Sequence, residues 1–143
     1  MNEGFTIFYA DDDPDDLDFF RDATKLISKN IRVCTHSGGE KLIQDLKSLD
    51  YLPAIVFLDI NMPGKNGLET LQEIRENSRF KDIPVVIFST ACDSSYVSQS
   101  LSLGASLYVK KSTSFEKFRK SIEFALNINW ETFHPSGQEF VYR

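Results

Sequence analysis

The chain has 143 residues, 41% of them hydrophobic and 26% charged. That is one domain's length with an ordinary globular composition, which excludes a disordered segment. The net charge of −5 speaks against a general nucleic-acid binder, which needs a basic face, and no apolar run approaches the roughly 20 residues of a membrane helix.

The N-terminus MNEGF has neither a basic region nor a long apolar core, so no signal peptide is expected. The first apolar run, residues 5–10, stops at Asp11, and residues 11–16 are all aspartate except Pro14. Asp13 before Pro14 reads as an N-cap followed by proline at the first helical position. Asp15 and Asp16 then fall in the first turn, at the positive end of the macrodipole. Leu17, Phe20, Thr24 and Ile27 recur at helical spacing and predict a helix over 14–28. Capping accounts for Asp13, Asp15 and Asp16. It does not account for Asp11 and Asp12, which lie upstream of the cap at the carboxyl end of a buried strand.

Apolar runs and amphipathic segments alternate from there. Strands are predicted over 31–35, 54–58, 85–88 and 107–109, and helices over 39–49, 67–77, 94–103 and 115–127. Gly38, Gly39, Pro53, Pro63, Gly64, Pro84 and Gly104 punctuate the connections. AIVFL (54–58) and VVIF (85–88) are apolar without alternation, as strands covered on both faces should be. Cys34 and Cys92 fit no metal or redox spacing and read as reduced thiols.

Five such units predict an α/β fold with a flavodoxin-like, doubly wound, five-stranded parallel sheet in the order 2-1-3-4-5. Ligands bind such sheets beyond the carboxyl ends of the strands, where the order reverses between strands 1 and 3. Strand 1 ends in Asp11 and Asp12, and strand 3 ends in Asp59. Three converging carboxylates repel one another unless a cation compensates, and Mg²⁺, which shares its shell with water and phosphate oxygens, suits them. Strand 4 leads to the hydroxyl of Ser89 and strand 5 to the ammonium of Lys111, a point charge suited to phosphate. Together these ends describe a site for a phosphoryl group and its metal.

ADDD (10–13), LDINMPGKNG (58–67), FSTA (88–91) and GASLYVKK (104–111) resemble, in order and spacing, the receiver domain of two-component response regulators, over residues 5–127. The resemblance implies that Asp59 is the phosphoacceptor, taking a phosphoryl group from phosphohistidine on a sensor histidine kinase or a histidine phosphotransfer protein. It implies that Asp11, Asp12 and Asp59 hold Mg²⁺, with Asp12 a direct ligand and Asn61 lending its backbone carbonyl. Ser89 matches the hydroxyl residue that swings to a phosphoryl oxygen, Lys111 the lysine that pairs with it, and Tyr108 the aromatic that turns inward on activation. The expected protein is no enzyme beyond its own phosphorylation and dephosphorylation. It is a cytoplasmic monomer or weak homodimer that acts on a downstream protein target by contact or onward phosphotransfer, without nucleic acid or membrane.

The sequence departs from that pattern in two places. Ser112 stands where the family usually has proline after a cis bond, which leaves the loop after strand 5 open between trans and cis. Thr90 stands where Ala or Gly is usual, and Ala91 brings no carboxylate to orient a hydrolytic water, so no accelerated self-dephosphorylation is expected. Residues 1–128 read as the receiver domain. Residues 129–143, carrying Trp130, Phe133, Phe140 and Tyr142, read as an aromatic tail too short for an effector domain, either folded back or met by another subunit.

Three other readings compete. A phosphatase of the haloacid dehalogenase type needs a second aspartate where Asn61 stands. A flavin binder needs a Ser/Thr/Gly-rich loop where ADDDPDD stands. A receiver-like module that binds partners without phosphorylation is the main alternative.

Overall fold

The computed structural model describes residues 5–91, 93–134 and 137–142. The N-terminal stretch read for a signal peptide lies largely outside the described residues, as do Cys92 and Arg143. Strands β1 Thr6–Ala10, β2 Arg32–His36, β3 Ile55–Asp59, β4 Val85–Ser89 and β5 Leu107–Lys110 alternate with helices α1 Pro14–Ile27, α2 Gly39–Ser48, α3 Gly67–Glu76, α4 Ser94–Ser102 and α5 Phe115–Leu126. All strand pairs are parallel, in the doubly wound order β2-β1-β3-β4-β5.

Side-chain caps start four of the five α-helices. Asp13 caps α1 by accepting from Asp15 N, with Pro14 in the first turn. Asn66 caps α3 in a reciprocal box with Glu69, and Asp93 and Ser114 cap α4 and α5. Gly67 lets α3 begin hard against β3, since a Cβ there would stand 2.1 Å from the Asp59 carbonyl oxygen.

The sheet separates two apolar layers. On one side Ile7, Tyr9, Phe57 and Phe88 pack against Phe20 of α1 and Phe118 and Ile122 of α5. On the other, Phe8, Val56, Leu58 and Ile87 pack against Leu42 of α2, Leu71 of α3 and Val97 of α4. Burial on both faces is what a parallel sheet requires, and it explains the unbroken apolar runs. The second strand runs one residue past its expected end because His36, though polar, is only 8% exposed and its Nε2 meets Asp45 Oδ2 at 2.8 Å.

The expected five strands are in fact six. After a 3₁₀ turn at Gly137–Phe140, β6 Val141–Tyr142 pairs in parallel with β5, Tyr108 opposite Val141 and Val109 opposite Tyr142. Two residues are too few to show a period, so this strand leaves no sequence signal. The tail therefore folds back on its own domain. Phe140, 1% exposed, joins the α4 side of the core, and the Tyr142 ring lies 4.7 Å from that of Phe124 on α5.

Candidate functional site

Asp11, Asp59, Ser89 and Lys111 stand at the carboxyl ends of β1, β3, β4 and β5. The β1 register carries Asp11 just past Ala10, where its amide donates to the His36 carbonyl at 3.0 Å. Asp59 closes β3 opposite Phe88, and Ser89 closes β4 opposite Lys110, with Lys111 N donating to Ser89 O at 2.8 Å. Carboxylate oxygens of Asp11, Asp12 and Asp59 lie within 4.8 Å of one another.

Their surroundings differ. Asp11 is fully buried and three donors engage it: Oδ2 takes the Tyr9 hydroxyl at 2.5 Å and the Lys111 ammonium at 2.6 Å, and Oδ1 takes Asp13 N at 3.0 Å. Asp12 is exposed and has no hydrogen bond or ion pair among the described residues. Asp59 is 7% exposed, and its Oδ1 lies 3.5 Å from Lys111 Nζ. Burial pushes its carboxyl from 3.8 up to about 7, the Asp11 and Asp12 charges adding to the rise and Lys111 opposing it. Burial alone lowers the pKa of Lys111, but bonding to Asp11, then to Asp16, outweighs that and the ammonium is held firmly protonated. Burial, and after it the Asp11 charge, raises the Tyr9 phenol well above its ordinary value, which keeps it a donor.

This donor set fits a hard divalent cation. Three carboxylates face one ammonium, and the depth of Asp59 shows that Lys111 leaves its charge undercompensated. Asp12 and Asp59 have oxygen free for an ion, as does the exposed loop at Asn61. Asp11, held by three donors, orients Lys111 and keeps an acceptor site on Oδ1.

Beside the cluster, Ser89 is fully buried and its Oγ accepts from Ala91 N at 3.1 Å. Tyr108, also fully buried, donates its hydroxyl to the Ala91 carbonyl. Both residues expected to switch thus hold one loop residue from two sides. Thr90 between them is exposed. No described peptide bond is cis, so the bond from Lys111 to Ser112 is trans, and Ser112 Oγ accepts from Ser114 N at 3.1 Å at the start of α5.

Two participants were not expected. Asp16, read as a helix-start charge, accepts from Lys111 Nζ at 2.8 Å. Helical side chains lean toward the N-terminus, so an acid in the first turn of α1 faces the strand ends, and that signal was available. Tyr9 lies two residues before Asp11, and the strand period of two puts both on one face.

Comparison with known proteins identifies the family and the fold. The response regulator receiver domain family matches residues 7–123. The probable C4-dicarboxylate response regulator DctR of Bacillus subtilis (strain 168) is 32% identical over 121 residues, 82% of this chain and 50% of that protein. The chain spans 28% to 60% of the length of such curated relatives. Among solved structures, the phosphorylated cyanobacterial phytochrome response regulator RcpA superposes with a TM-score of 0.80 at 25% identity, covering 92% of this chain and 99% of that one. The Mn²⁺-bound form of response regulator Rcp1 gives 0.78, also at 25% identity and with the same coverage. Receiver domains of this kind are signalling domains of two-component systems, and they bind Mg²⁺ or Mn²⁺ at an acidic pocket. The chain belongs to the response regulator receiver domain family.

Proposed function

We propose that this chain is a phosphorylation switch whose acceptor is Asp59. The observation that carries the reading is the placement of Asp59: a nearly buried carboxylate among Asp11 and Asp12, 3.5 Å from Lys111. In the transfer step, a carboxylate oxygen of Asp59 attacks the phosphorus of a phosphohistidine. An O–P bond forms, the P–N bond breaks, and the imidazole leaves with the electron pair. Lys111, freed in part from Asp11 or Asp16, pairs with a phosphoryl oxygen, and Ser89 offers its hydroxyl to another by giving up Ala91 N. Asp11, Asp12, Asp59 and the Asn61 carbonyl would hold Mg²⁺, which would supply neutralising charge for the transferring group.

Output runs through the α4, β5 and α5 side, to a downstream protein or by onward phosphotransfer, in the cytoplasm and as a monomer or weak homodimer. Supporting this, a hollow of about 380 Å³ is lined by Lys110, Lys117, Lys120 and Tyr142, and those three lysines form no ion pair among the described residues. The phosphorylation-independent alternative rests on one observation: Tyr108 is already inward and held at Ala91.

The test is exposure to acetyl phosphate or phosphoramidate followed by intact mass, with Asp59→Asn as control. A gain of one phosphoryl group that needs Mg²⁺ and vanishes in the variant is expected. No gain with any donor favours the constitutive binding module.

A further inference from the structure

A second hollow, of about 270 Å³, lies at the opposite end of the strands from Asp59. Its floor is the approach to β4 (Lys81, Asp82, Pro84) and to β5 (Gly104, Ala105, Ser106); Arg75 enters from the end of α3, and Trp130, Phe133 and His134 of the folded-back tail close it. The five residues of β4 separate it from the acidic cluster by about 13 Å.

We propose that this hollow binds a small oxyanion, a ligand carrying a carboxylate or a phosphate. The lining offers donors that the protein leaves unanswered. The Trp130 indole N–H is buried and has no hydrogen-bond partner among the described residues, an arrangement folded proteins rarely tolerate. The Arg75 guanidinium is fixed by carbonyls, Nε to Gly104 O at 2.8 Å and Nη1 to Lys81 O at 2.9 Å and Ile83 O at 2.7 Å. Its Nη2 reaches only Ser106 Oγ, at 3.4 Å, which leaves one of the five N–H donors unpaired and another weakly held. No carboxylate lies within ion-pair distance of Arg75 among the described residues. Burial pulls its pKa down, and the Asp82 charge offsets this only in part.

Lys81 and His134 add cationic or donor groups, neither of them in an ion pair among the described residues. Asp82 is the opposing charge. It leaves the lining net positive by about one with His134 neutral, which favours a singly or doubly charged ligand over a polyanion. A guanidinium Nη2 with one N–H to spare, an indole N–H and an ammonium are donors that suit a carboxylate or a phosphate oxygen.

Because Trp130 is the single tryptophan, its indole N–H gives one assignable proton–nitrogen resonance in the labelled full chain. That resonance is followed while inorganic phosphate, or separately acetate, replaces chloride at constant ionic strength. A saturable downfield movement is expected, about threefold weaker in apparent affinity in Lys81→Gln, whose side chain carries no fold contact on this site. Movement with both anions assigns a general oxyanion site; movement with phosphate alone assigns phosphate chemistry. Arg75→Gln endangers the fold through its three carbonyl bonds, so His134→Gln is the second variant. An indole resonance that stays still with both anions overturns the proposal, as does an identical response in wild type and both variants.

Discussion

Replacing Asp59 by asparagine is expected to make the metal-free protein more stable, and the gain is expected to depend on pH. In the folded chain, burial raises this carboxyl from 3.8 to about 7. The stability that comes from binding this proton is fully present below 3.8 and is lost as the pH rises through about 7. At pH 8 the group is ionised in both states, and the folded state carries the whole cost, about 4 kcal/mol at about 1.4 kcal/mol per tenfold change in proton affinity. At pH 5 the folded acid is protonated while the unfolded one is mostly ionised, and about 2 kcal/mol remains. Asparagine keeps the shape and removes the charge, while Lys111 keeps Asp11 and Asp16. Urea unfolding in EDTA should therefore show Asp59→Asn ahead of wild type by about 4 kcal/mol at pH 8 and by about 2 at pH 5. Excess Mg²⁺ should narrow the gap at pH 8 by binding the native wild type. No gain at pH 8, or a gain of equal size at both pH values, would refute the reasoning that burial leaves this carboxylate undercompensated.

Three further outcomes rest on single contacts. Phe140→Ala removes a fully packed ring from the core beside Tyr108 and should cost about 3 kcal/mol in chemical denaturation; a loss within experimental error would mean the tail is not docked. Tyr9→Phe deletes the hydroxyl that donates to Asp11 Oδ2 and should cost about 1–2 kcal/mol at neutral pH, with the cost vanishing in an Asp11→Ala background if that contact is its source. Gly67→Ala puts a methyl 2.1 Å from the Asp59 carbonyl oxygen. It should slow phosphorylation by acetyl phosphate as well as destabilise, by about 2 kcal/mol, because α3 must move off the end of β3; unchanged kinetics would dissociate the α3 start from the acceptor's position.

Legibility followed the range of the signal. Period and punctuation carried the five strand–helix units, since Leu17, Phe20 and Ile27 or the run AIVFL record which faces are buried. Asp11, Asp12 and Asp59 were legible because topology fixes which strand ends meet, and 2-1-3-4-5 is the common order for five alternating units. What escaped depends on contacts between distant segments. The bond from Lys111 to Asp16 joins residues 95 apart, and local capping explains Asp16 well enough to hide it. Val141 pairs with Tyr108 through a strand of two residues, so only the excess of aromatics in the tail betrayed that something there is buried. His36 ended its strand late because a partner on α2, Asp45, made burial of a polar ring acceptable.

The sixth strand bears on how the switch is read. Lys111, next in the chain after β5, reaches Asp11, Asp16 and Asp59, Tyr108 within it reaches the Ala91 carbonyl, and Tyr108 and Val109 pair with β6. A phosphoryl group that draws Ser89 Oγ away from Ala91 N loosens the residue that Tyr108 holds, and Tyr108 packs with Phe140 in one cluster. On the proposed function, docking of the tail and phosphorylation of Asp59 would act on shared contacts, and would therefore be coupled. Removing residues 128–143 should consequently change the fraction of chain phosphorylated at a fixed phosphoramidate and Mg²⁺ concentration. A change in protection of the Val141 and Tyr142 amides from hydrogen exchange should accompany it when the full chain is phosphorylated. Equal phosphorylation with and without the tail, together with unchanged amide protection, would mean that β6 only seals the edge of β5 and that the two sites are independent.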